Sequence, residues 1–248
     1  MTPMPTVNQS NEHSNYTKYM KQTELFAFEQ DQVQTQPKEI VVATDNRSNK
    51  DICIDYLRQT QRQGMERVIE WLDKQSDFFV APASTNFHGN YEGGLLEHSL
   101  NVLRMALEVY NMLCQYKPQL QEQVNVNSII IAALLHDVCK ANIYKSMTKY
   151  RKDKNNMWET YTTYGVDYTE LPVGHGEKSV IRLLQMGLAL TEDEILAIRW
   201  HMSAWELADS ADARGNLNAA KDKCPLLCII QTADGLASAI LEEKRENN

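Results

Sequence analysis

No stretch of this chain reaches the roughly 18 consecutive apolar residues that a membrane-spanning helix requires, and its start lacks the basic segment and apolar core of an export signal. Neither membrane insertion nor export is expected. Cysteine is scarce: Cys53, Cys114, Cys139, Cys224 and Cys228 are odd in number and mostly sit in apolar helical patterns, which suits a reducing compartment better than a disulfide framework. The expected location is the cytoplasm. A second cysteine pair to accompany Cys224 and Cys228 is also missing, so these two read as packing at the start of an apolar helix rather than as a zinc pair. Finally, there is no basic excess. Lys and Arg number 25 against 33 Asp and Glu, a formal net charge of −8, so no global polyanion-binding surface is advertised and any phosphate recognition must be local.

What is present is enough apolar material, 43% of 248 residues, for one sizeable core with a tail. Residues 1–50 are rich in Gln, Asn, Thr and Ser and read as a flexible or peripherally docked arm. The compact domain is expected over residues 51–248. Apolar residues between Ile54 and Leu72 fall at helical spacing, and Ser76 to Gly94 reads as a long loop. From Gly94 onward, Glu97, Asn101, Arg104, Glu108, Asn111 and Gln115 recur at steps of three and four, a narrow wet stripe on a mostly buried helix. A second buried helix is expected over 126–139, with Ser128 as its cap and an apolar run from Ile129 to Leu135. Alternating aromatic, threonine and lysine residues from Tyr144 to Tyr164 predict a hairpin. Three helices follow: one from His175 to Gly187, one with a capping box at Thr191 and Glu194 running through His201, and one from Pro225 to about Glu243. The fold class is therefore all-α, a helical bundle with a small β-hairpin insertion and an N-terminal arm.

Histidine is sparse too, six in all, yet four of them stand with two aspartates inside or beside these apolar runs: His98, His136, Asp137, His175, His201 and Asp234. An isolated charge in an apolar interior costs several kcal/mol, so such groups usually persist where an ion or a partner compensates them. Imidazole and carboxylate together suit Mn, Fe, Co, Ni or Zn. Two such ions about 3.5 to 4 Å apart share bridging ligands. His136 and Asp137, being neighbours at one helix end, point in different directions, so one can bind a single ion while the other bridges both.

The ordered set, with the lead-in Gly93, Gly94, Leu95, Leu96, Glu97, His98 and the run His136, Asp137, Val138, Cys139, Lys140, resembles the HD-domain metal-dependent phosphohydrolase superfamily over about residues 55–243. The resemblance implies that His98, His136, Asp137 and Asp234 hold a first divalent ion, and that His175 and His201 hold a second one bridged by Asp137. It implies a role for Lys140 against substrate phosphate, consistent with a cation one turn beyond two metal ligands. The implied reaction is hydrolysis of a phosphate ester or anhydride of a nucleotide-like substrate by a hydroxide bridging the two ions, with Asp137 and Lys140 catalytic.

Further substrate-binding candidates are His88, which leads into the Gly93 turn, and Lys178 and Arg199, which flank the second-ion histidines; Lys178 opens a helix. Lys145, Lys149, Arg151, Lys152 and Lys154, interleaved with Tyr144 and Tyr150, suit attraction and stacking of a nucleotide or a short single-stranded nucleic acid and equally suit a lysine-protected hairpin edge. Cys139 reads as packing. Oligonucleotide or cyclic-dinucleotide cleavage is an alternative, but those relatives carry a double histidine where this chain has Trp200, His201 and Met202. Relatives with the same six ligands also include di-iron oxygenases, and a ligand sensor without turnover is a third class.

Overall fold

The computed structural model describes residues 47–167, 170–203 and 211–242. Most of the expected N-terminal arm lies outside the described residues. Its end does not: helix α1 spans Asn49–Gln59, capped by the Ser48 hydroxyl, which accepts from the Asp51 amide. The single helical stretch expected from Ile54 to Leu72 is two helices, because α2 spans Met65–Lys74 and is preceded by Gly64 at φ 88°. A Cβ at Gly64 would lie 2.1 Å from the Gly187 carbonyl oxygen. The corner thus exists because two backbones meet there, a close approach only glycine permits.

The wet-striped helix, α3, spans Gly94–Tyr116. Its entry is as tight as the Gly93–Gly94 pair implied: Gly93 has φ 81°, and a Cβ on Gly94 would lie 2.1 Å from the Gly89 carbonyl oxygen. After a single turn, α4 at Leu120–Gln123, helix α5 covers Val126–Leu135, with every side chain from Ser128 to Leu135 buried. Two expectations are corrected here. The cap of α5 is Asn125, whose side chain accepts from the Asn127 amide at 2.8 Å; the Ser128 hydroxyl instead donates to Glu194 at 2.7 Å. And α5 stops at Leu135: Asp137 leaves the helical region (φ −103°, ψ 16°) and a 3₁₀ turn, Val138–Lys140, follows.

Strands β1 (Tyr144–Lys152) and β2 (Trp158–Val166) form the expected antiparallel hairpin, in register from Tyr144 opposite Val166 to Lys152 opposite Trp158. Helix α6 spans His175–Gln185 and α7 spans Glu192–Trp200, the latter with the capping box of Thr191 and Glu194. Helix α8, Ala211–Lys223, was not anticipated, since only Leu217 and Ala220 are buried and its apolar pattern is weak. Helix α9 spans Pro225–Leu236 and runs into a π-helical turn, Ala237–Leu241.

Helix α5 lies at the centre, packed on α1, α3, α7 and α9, while α3 also packs on α9 and α6 on α7. Glu194, fully buried, ties three parts together: it accepts from Arg62 at 2.6 Å, from Ser128 on α5 at 2.7 Å and from its own cap amide at 2.9 Å. A buried carboxylate held this way has its charge and lone pairs compensated. No single helix among the described residues is long and apolar enough to cross a membrane.

Candidate metal centre

The histidines are aimed by backbone carbonyls. His136 and His201 each occupy the position just after the last residue of a helix, α5 and α7. There the Nδ1 of His136 donates to the Ala133 carbonyl at 2.8 Å, and that of His201 to the Ile198 carbonyl at 2.7 Å. A carbonyl only accepts, so Nδ1 carries the proton and Nε2 presents a lone pair. His98, on α3, is oriented by the Glu242 carboxylate, whose oxygens lie 3.0 and 3.1 Å from Nδ1. Its Nε2 is thereby also a lone-pair donor.

These lone pairs converge. The Nε2 atoms of His98 and His136 are 3.2 Å apart. Around them, Asp234 Oδ1 is 3.4 Å and Asp137 Oδ2 3.5 Å from His98 Nε2, and Asp137 Oδ2 is 3.4 Å from His136 Nε2. His201 Nε2 is buried without a hydrogen-bond partner, 3.4 Å from Asp137 Oδ1. Opposed nitrogen lone pairs ringed by carboxylates are mutually repulsive unless a cation sits among them. The donor set, imidazole and carboxylate, suits a divalent transition metal. His98, His136 and Asp234 have ligand atoms within 4.8 Å of one another, as do His136, Asp137 and His201, and Asp137, Cys139 and His175.

Asp137 is the hub. Besides these imidazoles it accepts from Lys140 Nζ at 2.7 Å on Oδ2 and faces His175 Nε2 at 2.5 Å on Oδ1. The 3₁₀ turn brings Asp137 and Lys140 onto one face, since residues three apart eclipse in that geometry. Burial would raise the Asp137 pKa, but Lys140, His136 and His175 hold it well below the usual carboxylate range. Burial, reinforced by neighbouring positive charge, lowers His98, and burial lowers His201. Burial pulls Lys140 down, but Asp137, Tyr144 and Cys139 together outweigh it and the pKa goes up. His175 is likewise pushed up to about 10 against burial, by Cys139 and Asp137.

Those directions would give an ion held by this cluster a pH-dependent affinity. At pH 7.5 an ion-free His175, with its pKa near 10, carries a proton that a ligand cannot keep. Metal loading should therefore release protons, and affinity should tighten as pH rises toward 10. Calorimetric titration of zinc or manganese in two buffers of different ionisation enthalpy checks this; identical heats would show that no proton leaves.

A cavity of about 410 Å³ opens over the cluster, lined by His88, His98, Asp137, Lys140, His201, Met202, Ser203, Gln231, Thr232, Asp234, Gly235 and Ser238. The family model of the HD domain matches residues 95–239, the span that carries all six of these metal-type side chains. The chain belongs to the HD-domain family. It is also 34% identical over 93 residues, 38% of this chain, to the dihydroneopterin 2′,3′-cyclic phosphate phosphodiesterase of Methanocaldococcus jannaschii. The matched part is 34% of that protein's length, so the chain spans about a third of this curated relative. No solved structure matches.

Within the HD domain, the six expected ligand residues meet at one place, contributed by α3, the end of α5, α6, the end of α7 and α9. His175 and His201 approach because α6 starts against the end of α7: a Cβ on Gly176 would lie 2.2 Å from the Arg199 carbonyl oxygen, and the two imidazole centroids are 5.3 Å apart. Lys140 and His88 line the cavity, with the His88 ring 5.0 Å from that of His98. Lys178 and Arg199 do not line it. The Lys178 ammonium donates to the Glu170 carbonyl at 2.7 Å, while Arg199 pairs with Glu177 at 2.6 Å and lies over the Trp200 ring. The hairpin's basic residues are also absent from the lining. Lys145 pairs with Asp167, Arg151 pairs with Glu159 at 2.6 Å, and Lys152 stacks on Trp158.

Two participants escaped the sequence reading. Glu242 orients His98 from beyond the π-helical turn, with no spacing pattern to reveal it. Cys139, read as packing, has its sulfur 3.3 Å from His175 Nδ1. Its place inside the His136–Lys140 run was the available signal.

Proposed function

We propose that this HD domain is a metal-dependent phosphohydrolase that cleaves a phosphate ester of a small nucleotide-like molecule, with His98, His136, Asp137 and Asp234 holding one divalent ion and Asp137, His175 and His201 a second. The observation that carries this reading is the convergence of inward-facing imidazole nitrogens on the Asp137 carboxylate at the floor of an open cavity that also contains Lys140. The similarity to a phosphodiesterase of a cyclic phosphate supports the ester chemistry. A volume of about 410 Å³ falls in the range of about 300–1,000 Å³ typical of small-molecule sites.

When bound, the ions would polarise a phosphoryl oxygen and supply a water acidic enough to act as nucleophile at neutral pH. The protein's own groups do the rest. Lys140, positively charged and in the same cavity, rests on Asp137 only until an ion takes that oxygen, and then faces phosphoryl oxygens that gain charge as the bond to the incoming water oxygen forms and the ester P–O bond breaks. His88 lines the cavity beside His98, and its buried Nε2 has no hydrogen-bond partner. Gln231, Thr232, Ser203 and Ser238 give the walls hydrogen-bonding character without fixed charge, as a planar heterocycle with polar edges requires.

Incubation of the manganese- or cobalt-loaded protein with nucleoside 2′,3′-cyclic phosphates, pterin cyclic phosphates, 3′,5′-cyclic nucleotides and short oligonucleotides checks the reading. The expected product is a phosphomonoester from a small cyclic substrate, formed without oxygen. Turnover only of oligonucleotides would sink the small-substrate assignment, and substrate-dependent oxygen consumption by the iron-loaded protein would replace hydrolysis with oxygenation.

A further inference from the structure

The four imidazoles of the cluster are not backed alike. His136 and His201 lean on the neutral carbonyls of Ala133 and Ile198, and His175 Nδ1 faces the Cys139 sulfur. Among the described residues, only His98 has a carboxylate at Nδ1. Both Glu242 oxygens lie within reach of it, at 3.0 and 3.1 Å, and both side chains are 1% exposed. Glu242 is held there from two sides. Asn101, one turn beyond His98 on the same face of α3, donates to it at 3.3 Å. The chain arrives through the π-helical turn at the end of α9, closed by the Glu242 amide on the Ala237 carbonyl at 3.1 Å. Such wide turns are rare and gather at functional sites. Asp234, on α9 itself, lies 3.4 Å from His98 Nε2, so one segment sets a carboxylate at each nitrogen of this ring.

We propose that Glu242 is a positioning residue: it fixes His98 as the Nδ1–H tautomer and, by its charge, makes the ion held by His98, His136, Asp137 and Asp234 the tighter of the two. The inference rests on the two-ion reading above and deepens it. An ion-free His98 has an alternative, because a proton on Nε2 would bond to Asp234 or Asp137 and relieve the opposed lone pair of His136, 3.2 Å away. That tautomer blocks the ligand nitrogen. A carboxylate at Nδ1 disfavours it, since an anion repels a lone pair and binds an N–H. A carboxylate behind a metal-bound imidazole also raises its basicity as a ligand, and a neutral carbonyl, the weaker acceptor, does so less. Glu242 is not itself a ligand. The ligand atoms of His88, His98 and Glu242 fall within 4.8 Å of one another, but an ion among them would need the Nδ1 proton removed from a ring whose Nε2 already serves another ion.

The test uses the full chain with isotope-labelled histidine, stripped of metal and then titrated with cobalt(II). In the ion-free wild type, long-range nitrogen–proton NMR should show His98 protonated at Nδ1 alone. In Glu242→Ala the proton should move to Nε2, whereas Glu242→Gln, whose amide oxygen still accepts, should keep it at Nδ1. A residue that merely fills space would not move a proton between ring nitrogens. On titration, affinity for the tighter cobalt ion should fall by about 10–100-fold in Glu242→Ala and by less in Glu242→Gln, with the weaker ion changed far less. A wild-type tautomer or an unchanged tight affinity in Glu242→Ala overturns the inference and leaves the two-ion reading standing. So does a third cobalt ion lost in that variant, which would make Glu242 a ligand. A wild type that takes up no cobalt overturns both. Should Glu242→Ala not fold, Glu242→Gln decides: a weakened tight ion supports the role of the charge, and wild-type affinity refutes it.

Discussion

Asp137→Asn is expected to reduce hydrolysis of a cyclic phosphate ester by on the order of 10³-fold or more and to lower the metal content from two ions per chain to one or none. The amide nearly preserves the volume of the carboxylate, so packing around this buried residue changes little. Charge is what changes. Asp137 faces all of His98, His136, His175, His201 and Lys140 at 2.5 to 3.5 Å, and a neutral amide offers a single accepting oxygen where both carboxylate oxygens are engaged. The ion-free variant should also melt at a lower temperature than the ion-free wild type, because Lys140 and His175 keep their positive charge in a largely buried place with no adjacent carboxylate. Elemental analysis with single-turnover kinetics checks the first claim. An Asp137→Asn protein that keeps two ions and normal turnover would remove Asp137 from the shared-ligand role.

Lys140→Met should separate catalysis from metal binding. Loss of a cation aimed at developing phosphoryl charge is expected to lower kcat by about 10²–10³-fold, or about 2.7–4 kcal/mol, the usual effect of removing one electrostatic stabiliser. The loss should fall mainly on kcat, since charge builds in the transition state rather than in the bound ester. Metal affinity should move the other way. In the ion-free protein the Lys140 ammonium occupies Asp137 Oδ2 at 2.7 Å, so an incoming ion competes with it, and a neutral methionine of similar length removes the competitor. Tighter metal binding with crippled turnover is the expected pair of results, read by chelator competition and steady-state kinetics. Unchanged kcat would reduce Lys140 to a counter-ion of Asp137.

The legible parts of this molecule are those whose signal is local. The polar stripe of α3, the Thr191–Glu194 box and the alternation through the hairpin are written in residues three or four apart, or two apart, and each produced its element. The six metal-type residues that meet in the cluster stood out for a similar reason: a charged or imidazole group inside an apolar run is an anomaly that sequence displays. Long-range contact set what was missed. The corner at Gly64 depends on the Gly187 backbone 123 positions away, and the Ser128 hydroxyl serves Glu194 on α7 instead of its own helix end. Proximity in sequence also misled. Lys178 and Arg199 lie within three residues of His175 and His201, yet their long side chains reach a carbonyl and a carboxylate outside the cavity, because α6 and α7 press together where both histidines emerge.

Residue types and their order along the chain were enough to expect an all-α domain and to name six metal-type residues, since burial cost and helical period act on each segment separately; the HD family entered as a resemblance of the ordered set, which the family model bears out. Tertiary structure alone decided which nitrogen of each imidazole faces inward, that Glu242 steers His98, that Lys140 rests on Asp137, and that the Cys139 sulfur stands beside His175. Those are relations between side chains from different helices, separated by as many as 144 positions in the case of His98 and Glu242. No periodicity encodes such pairings; they follow from how α3, α5, α6, α7 and α9 pack around one core.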